Sequence, residues 1–142
     1  MAVEIKGSYR GNLNIEVVHG PSGTRLTTAA PVDNQGDGSS FSPTDLAATA
    51  LGTCMLTLIG ITAQRHPEID LSGLAFRVEK HMVDNPRRIG RLPVTIEMPA
   101  GIAPDVRKKL ERSALTCPVH KSLHPDVEMP VEFVYPEEPA ET

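Results

Sequence analysis

An α+β fold is what the order of periodic segments predicts. Short alternating stretches come as an opening group of three, a middle pair and one closing segment, with helical stretches interleaved between the groups. A doubly wound sheet would instead put a helix after nearly every strand. At 142 residues the chain is expected to form one domain, 1–142, large enough to bury a core without a disulfide staple. No internal repeat is present.

The opening strands are expected near Val3–Tyr9, Leu13–Val18 and Thr24–Thr28, with turns at Arg10-Gly11-Asn12 and His19–Gly23. Leu13, Ile15 and Val17 alternate with Asn14 and Glu16, the pattern of a half-buried strand. The polar, Gly- and Ser-rich stretch from Pro31 to Phe41 reads as a loop. A first helix then starts on strong signals. Ser42 is a good N-cap, Pro43 suits the first helical position, and Asp45 follows the cap by three residues. Its body, Leu46 to Gln64, is apolar or small on every side, so it requires burial all round. Thr49, Thr53, Thr57 and Thr62 interrupt it, which argues against a membrane span, and Pro67 ends it. A domain of this size has too few other elements to cover such a helix, so a partner subunit is expected to supply the second wall. Middle strands follow near Leu74–Val83 and Pro93–Met98, joined across an Arg-rich turn. A second helix runs from Ala103 to Ala114 with Val106, Leu110 and Ala114 inward. Pro118–Leu123 is a short third helix, Val131–Val134 the last strand, and Pro136–Thr142 an acidic tail expected to fray.

Composition narrows the function. The net charge is −4, the basic residues are scattered, and there are 3 Phe, 2 Tyr and no Trp, so neither a phosphate-binding stripe nor a base-stacking platform is present. No nucleic-acid or membrane partner is expected. With no apolar run of about 18 residues and no basic-then-apolar leader at Met1, the chain is expected in the cytoplasm, where lasting cysteine pairs tend to be catalytic or redox-sensing.

Two cysteines, Cys54 and Cys117, stand 63 positions apart. Cys54 lies three turns into the apolar helix, and Cys117 stands at a helix start, where amides and the helix dipole favour a thiolate. If the fold brings them together, they make a two-thiol redox site. A buried structural cysteine and an unreactive helix-entry residue remain the plainer readings of each alone. His120, one turn beyond Cys117, would lower the thiol pKa if it pointed back, or sit solvated. A zinc site would need further ligands, and His19, His66, His81 and His124 are dispersed, so no metal is expected. No local signature supports a cysteine-protease-like triad on Cys54.

Taken together, Ser42-Pro43-Thr44-Asp45-Leu46-Ala47-Ala48-Thr49-Ala50-Leu51-Gly52-Thr53-Cys54 and Thr116-Cys117-Pro118-Val119-His120-Lys121-Ser122-Leu123 resemble the two cysteine motifs of the OsmC/Ohr family. These are the osmotically inducible and organic hydroperoxide resistance proteins. Order and spacing agree from about Glu4 to Tyr135, closest to a general OsmC-like branch. The resemblance implies an intertwined homodimer with long central helices packed between antiparallel β-sheets built from both chains. It implies a thiol peroxidase of oxidative-stress defence, without a cofactor. Cys54 would reduce an organic hydroperoxide and become a sulfenic acid. Cys117 would condense with it to a disulfide, and a dithiol reductant, lipoylated protein in the Ohr branch, would restore both thiols. Independently of the resemblance, the helix around Cys54 presents Leu51, Met55 and Leu58, which are expected to line an apolar substrate site. By the same resemblance Arg10, in the first β-turn, is the cation beside the thiolate, with Arg25 as the fallback. One departure stands out. Family peroxidases carry a glutamate ten positions before the first cysteine to orient the arginine, and Thr44 stands there in this chain. The nearest acid, Asp45, is one residue further along, about 100° around the helix, and is expected to cap the helix or to play a supporting part. The alternative function is a non-catalytic dimeric protein that binds an apolar small molecule between its helices.

Overall fold

The computed structural model describes residues 1–136; the rest of the acidic tail, expected to fray, lies outside the described residues. The chain divides into two compact units, Met1–Ala47 and Ala48–Thr142.

The first unit is an antiparallel meander of β1 (Ile5–Gly11), β2 (Asn14–His19) and β3 (Arg25–Ala29), in that spatial order. Asn12 and Leu13 both take positive φ, 56° and 61°, which lets a two-residue turn follow the twist of the strands. The Tyr9 hydroxyl accepts the Leu13 N–H at 3.2 Å and fixes that turn. Directly paired residues share a face. Tyr9 faces Ile15, Gly7 faces Val17, and Val17 faces Leu26, so one side of the sheet is apolar. Ile5, Tyr9 and Leu26 on it are nonetheless exposed. The opposite side carries Glu16, paired with Ser8 and Thr27. After a single 3-10 turn at Val32–Asn34, the loop leads to the helix cap.

Helix α1 (Pro43–Ala63) spans 21 residues, about 32 Å at 1.5 Å per residue. Its start is a reciprocal capping box: Asp45 Oδ2 accepts the Ser42 N–H at 2.8 Å, and Ser42 Oγ accepts the Asp45 N–H at 3.1 Å. Such a cap is worth about 1 kcal/mol. By length and composition α1 is apolar enough to cross a membrane, contrary to the expectation that the chain has no such stretch. The difference arises because the threonines are diluted among Leu, Ile, Met and Ala, so the mean hydropathy over 18 residues stays high. Thr53 Oγ1 donates to the Thr49 carbonyl at 2.9 Å and Thr57 Oγ1 to the Thr53 carbonyl at 2.8 Å. Their protons are turned onto the helix backbone, which leaves methyl groups outward.

In the second unit Ala48, Leu51, Met55, Ile59 and Ala63, spaced by three or four residues, form the buried stripe of α1. They share a core with Val94 and Ile96 of β7 (Val94–Glu97) and with Leu110 and Ala114 of α2 (Pro104–Ala114). The opposite stripe is open: Thr53, Thr57 and Ile61 are exposed. The sheet of this unit runs β4 (Ala75–Val78), β7, β8 (Val131–Val134). β4 pairs antiparallel with β7, but β8 joins β7 in parallel. The expectation of antiparallel sheets therefore holds for all but this edge. A parallel pair needs a long crossover, and the segment holding α2 and α3 (Pro118–Ser122) supplies it.

The expected middle pair is finer than its periodicity suggested. Residues 81–91 form a separate hairpin of β5 (His81–Val83) and β6 (Arg88–Arg91), so the Arg-rich stretch expected as a turn is partly strand. Amphipathic α2 buries Val106, Leu110 and Ala114 as its pattern indicates. It also anchors the end of β8. The Tyr135 hydroxyl donates to Glu111 Oε2 at 2.5 Å, and the Arg107 guanidinium lies 4.1 Å from the centre of the Tyr135 ring. Burial, and then the Glu111 carboxylate, hold the phenol in its protonated form well above its usual range.

Gly52 sets how closely β4 approaches α1. A Cβ there would stand 2.3 Å from two carbons of the Phe76 ring and 2.8 Å from a third. Helix propensity favours alanine over glycine by about 1 kcal/mol, whereas overpacking costs about 1–3 kcal/mol. Gly52→Ala is therefore expected to destabilise the protein, measured by urea unfolding at fixed protein concentration. Phe76→Leu in the same background is expected to recover part of the loss.

Candidate active site

Cys54 sits at the edge of the buried stripe of α1, between exposed Thr53 and fully buried Met55, and is itself half-buried. One step of about 100° separates each neighbour, so the thiol stands where the core ends and the open stripe begins. Leu51 and Met55, expected to line a substrate site, point into the core instead and are fully buried; half-buried Leu58 keeps that possibility. The residues on the open side are the threonine methyls and Ile61.

Cys117 is the N-cap of α3, with φ −52° and ψ 122° and Pro118 as the first helical residue. Its sulfur accepts the His120 backbone N–H at 3.4 Å, so it is the amide of His120 that reaches the thiol. The sequence correctly indicates a capping cysteine, but the expected bias towards thiolate does not follow. Burial pushes the Cys117 thiol up, and a hydrogen bond with the Cys54 thiol pushes it further. The amides of His120 and Val119 act in the opposite direction and are outweighed. A proton on a fully buried sulfur is favoured because the alternative is an ion in a poorly solvating interior.

The fold thus brings two thiols 63 residues apart close enough for Cys54 to favour the proton on Cys117, and both are free. A half-buried thiol beside a buried one suits two-step oxidation: the first can meet a reagent, and the second can then condense with the product.

The two candidate arginines lie in the first unit. Arg10 is on β1, at the irregularity between Tyr9 and Gly11, rather than in the turn, which Asn12 and Leu13 make. Arg25 opens β3. Both donate to the same oxygen, Glu16 Oε1, at 2.6 Å and 2.9 Å. The hydrogen bond from Arg10, joined by the charges of both arginines, holds the Glu16 carboxyl below its usual range. Glu16 was not singled out from sequence. Its signal is positional: it points to the polar side of the central strand of a meander whose outer strands carry the arginines. Asp45 is placed in the capping box described above, and the Thr44 hydroxyl lies 3.2 Å from that of Ser42.

Among the described residues no three His, Cys, Asp or Glu side chains gather as a metal site. His66, His81 and His124 instead each lie near one acid, Glu68, Glu79 and Asp126 respectively.

Residues 36–132 match the family model described as OsmC-like protein. Among solved structures, one from Psychrobacter arcticus 273-4, provisionally named an osmotic stress induced and detoxification response protein, is 44% identical with a TM-score of 0.85. The match covers 92% of this chain and 94% of that one. An organic hydroperoxide resistance protein OsmC of Legionella pneumophila matches with a TM-score of 0.69 at 19% identity, over 94% of this chain and 96% of that one. The organic hydroperoxide resistance protein OhrB of Bacillus subtilis matches with a TM-score of 0.65 at 12% identity, over 94% and 98%. At those identities the last two show a shared fold. No curated protein matches the sequence.

Alkylation rates followed against pH should place the ionisation of Cys117 above the ordinary thiol value of about 8.5. Cys54→Ala is expected to move it downward, because that change removes a partner that favours the proton. Because the folded-state value is the raised one, the stability linked to this group is complete below about pH 8.5. It declines as the pH rises through the folded value.

Proposed function

Because the chain belongs to the OsmC-like protein family, we propose that it is a cysteine-based peroxidase that reduces organic hydroperoxides in oxidative-stress defence. The observation that carries this reading is the pair of free, interacting thiols, one half-buried and one fully buried. The names of the Legionella and Bacillus neighbours add that the fold serves hydroperoxide resistance elsewhere.

In this reading the Cys54 thiolate attacks the terminal oxygen of ROOH and the O–O bond breaks. Sulfur loses two electrons to become a sulfenic acid, and the alcohol ROH leaves with a proton. The Cys117 thiol then attacks that sulfur, a disulfide forms, and water departs. An external dithiol, with lipoylated protein as one candidate, returns two electrons and two protons. The environment of Cys117 suits the second role: buried and held protonated, it is a poor first nucleophile. Arg10 is proposed as the cation that keeps Cys54 ionised, with Arg25 as the alternative. Glu16 is proposed to orient them, in place of the glutamate that Thr44 replaces. No cofactor is assigned.

The working unit is proposed to be a cytoplasmic homodimer in which residues 1–142 act as one domain. Two observations favour a second copy: the apolar sheet side bearing Ile5, Tyr9 and Leu26 is exposed, and so is the stripe of α1 bearing Thr53, Thr57 and Ile61. Sedimentation at micromolar concentration should give a dimer; a stable folded monomer would sink this part.

Peroxidase turnover decides the chemistry. Cys54→Ser should abolish it. Cys117→Ser should still reduce about one equivalent of peroxide and then stop, because no resolving thiol remains. Cumene hydroperoxide should react at least tenfold faster than hydrogen peroxide, a difference of about 1.4 kcal/mol that the burial of two or so methylenes supplies. Equal rates would refute an apolar approach to Cys54, and negligible rates for both would favour a ligand-binding dimer. Arg10→Ala should raise the pH at which Cys54 becomes reactive; if only Arg25→Ala does so, the cation is Arg25. Glu16→Gln tests orientation. Removing a negative charge alone would lower that pH, whereas releasing a misplaced arginine would raise it, and we expect a rise.

A further inference from the structure

A cavity of about 540 Å³ opens in the second unit beside the end of α1 and the last turns of α2. Four of its lining residues are basic: Arg65, His66, Lys109 and Arg112. Among the described residues no carboxylate lines it. His66 Nδ1 lies 3.5 Å from the Glu68 carboxylate, but Arg65, Lys109 and Arg112 form no ion pair among the described residues. Helix electrostatics account for part of this, since cations near a helix C-terminus meet its negative end. That applies to Arg65 and His66 after α1 and to Arg112 in the last turn of α2. It does not account for Lys109, or for bringing all four around one concavity in a protein whose net charge is −4. Among the described residues Arg65, Lys109 and Arg112 converge with no carboxylate between them; like charges repel, and an anion would relieve them.

The remaining lining refines the ligand. Ser113 Oγ donates to the Leu110 carbonyl at 2.6 Å, and Thr116 Oγ1 donates to the Ser113 carbonyl at 2.7 Å. With their protons committed, these two hydroxyls offer lone pairs to anything in the cavity, so they accept rather than donate. Two guanidiniums and an ammonium match a group with several charged oxygens, which a carboxylate lacks. The acceptors match hydroxyl groups, which inorganic phosphate at neutral pH offers poorly. The volume lies within the range of small-molecule pockets.

We propose that this cavity binds a small polyhydroxylated phosphate monoester, with its phosphate on Arg65, Lys109 and Arg112 and its hydroxyls on Ser113 and Thr116. The site is independent of the peroxidase reading and would stand if that reading failed.

Calorimetric titration of the full-length protein at fixed ionic strength tests it with three probes: glycerol phosphate, inorganic phosphate and sulfate. Saturable binding of glycerol phosphate is expected, at least threefold tighter than inorganic phosphate. The double variant Lys109→Gln, Arg112→Gln should weaken it at least tenfold; both side chains are exposed, and circular dichroism checks that the fold is kept. Thr116→Val should erase the preference over inorganic phosphate while leaving phosphate binding in place. Absence of saturable binding, binding that survives the double substitution, or equal affinity for glycerol phosphate and inorganic phosphate would each overturn the proposal.

Discussion

The structure depends on one demand: a 21-residue helix with no polar side must be covered. The second unit covers one stripe of it with a sheet and α2, and from that burial the core follows. Gly52 lets the Phe76 ring lie close against the helix, and the crossover through α2 and α3 is what allows β8 to extend the same sheet in parallel. The other stripe is satisfied differently. Its threonines bond to carbonyls one turn back, so the helix loses little by presenting methyl groups beside Ile61. The position of Cys54 is a consequence of this division. A thiol on the boundary between the stripes belongs to the core on one side and remains approachable on the other.

The second cysteine shows how competing electrostatic effects resolve. An N-cap site offers amides, and Cys117 uses them. In a solvated cap those amides would favour the thiolate. Here the sulfur is fully buried and shares a proton-favouring contact with Cys54, so desolvation dominates and the thiol stays neutral. The same residue type at the same local motif therefore acquires the opposite bias from its depth alone.

That contrast marks what was legible in the sequence. Features written in local order were readable: the capping box from Ser42 and Asp45, the inner stripe of α2, the capping cysteine before Pro118, and the span Val131–Val134. Features that depend on partners distant in the chain were not. The one local miss is the second strand of the 81–91 hairpin, whose arginines read as turn, although alternating residues of a two-stranded ribbon can all face water. Leu51 and Met55 looked available to a ligand because a helix apolar on every side does not announce which stripe the core takes. The depth of Cys117 and the bridge at Glu16 required the sheet registers and the packing, which no local pattern specifies.

The bridge at Glu16 differs from what an acid on the helix would make. A glutamate on the helix would act on an arginine across elements, and its grip would depend on how those elements meet. Glu16 works within a single sheet, where strand pairing holds it between Arg10 and Arg25. Two guanidiniums on one carboxylate leave a residual positive charge, whereas a one-to-one pair would cancel. The cluster as a whole therefore keeps a positive charge. Ordering two exposed arginines on one acceptor costs side-chain entropy, and an exposed ion pair returns little. Both guanidiniums nonetheless bond a single oxygen of Glu16 at short distance, so the cluster contributes little stability and its geometry rests on strand pairing.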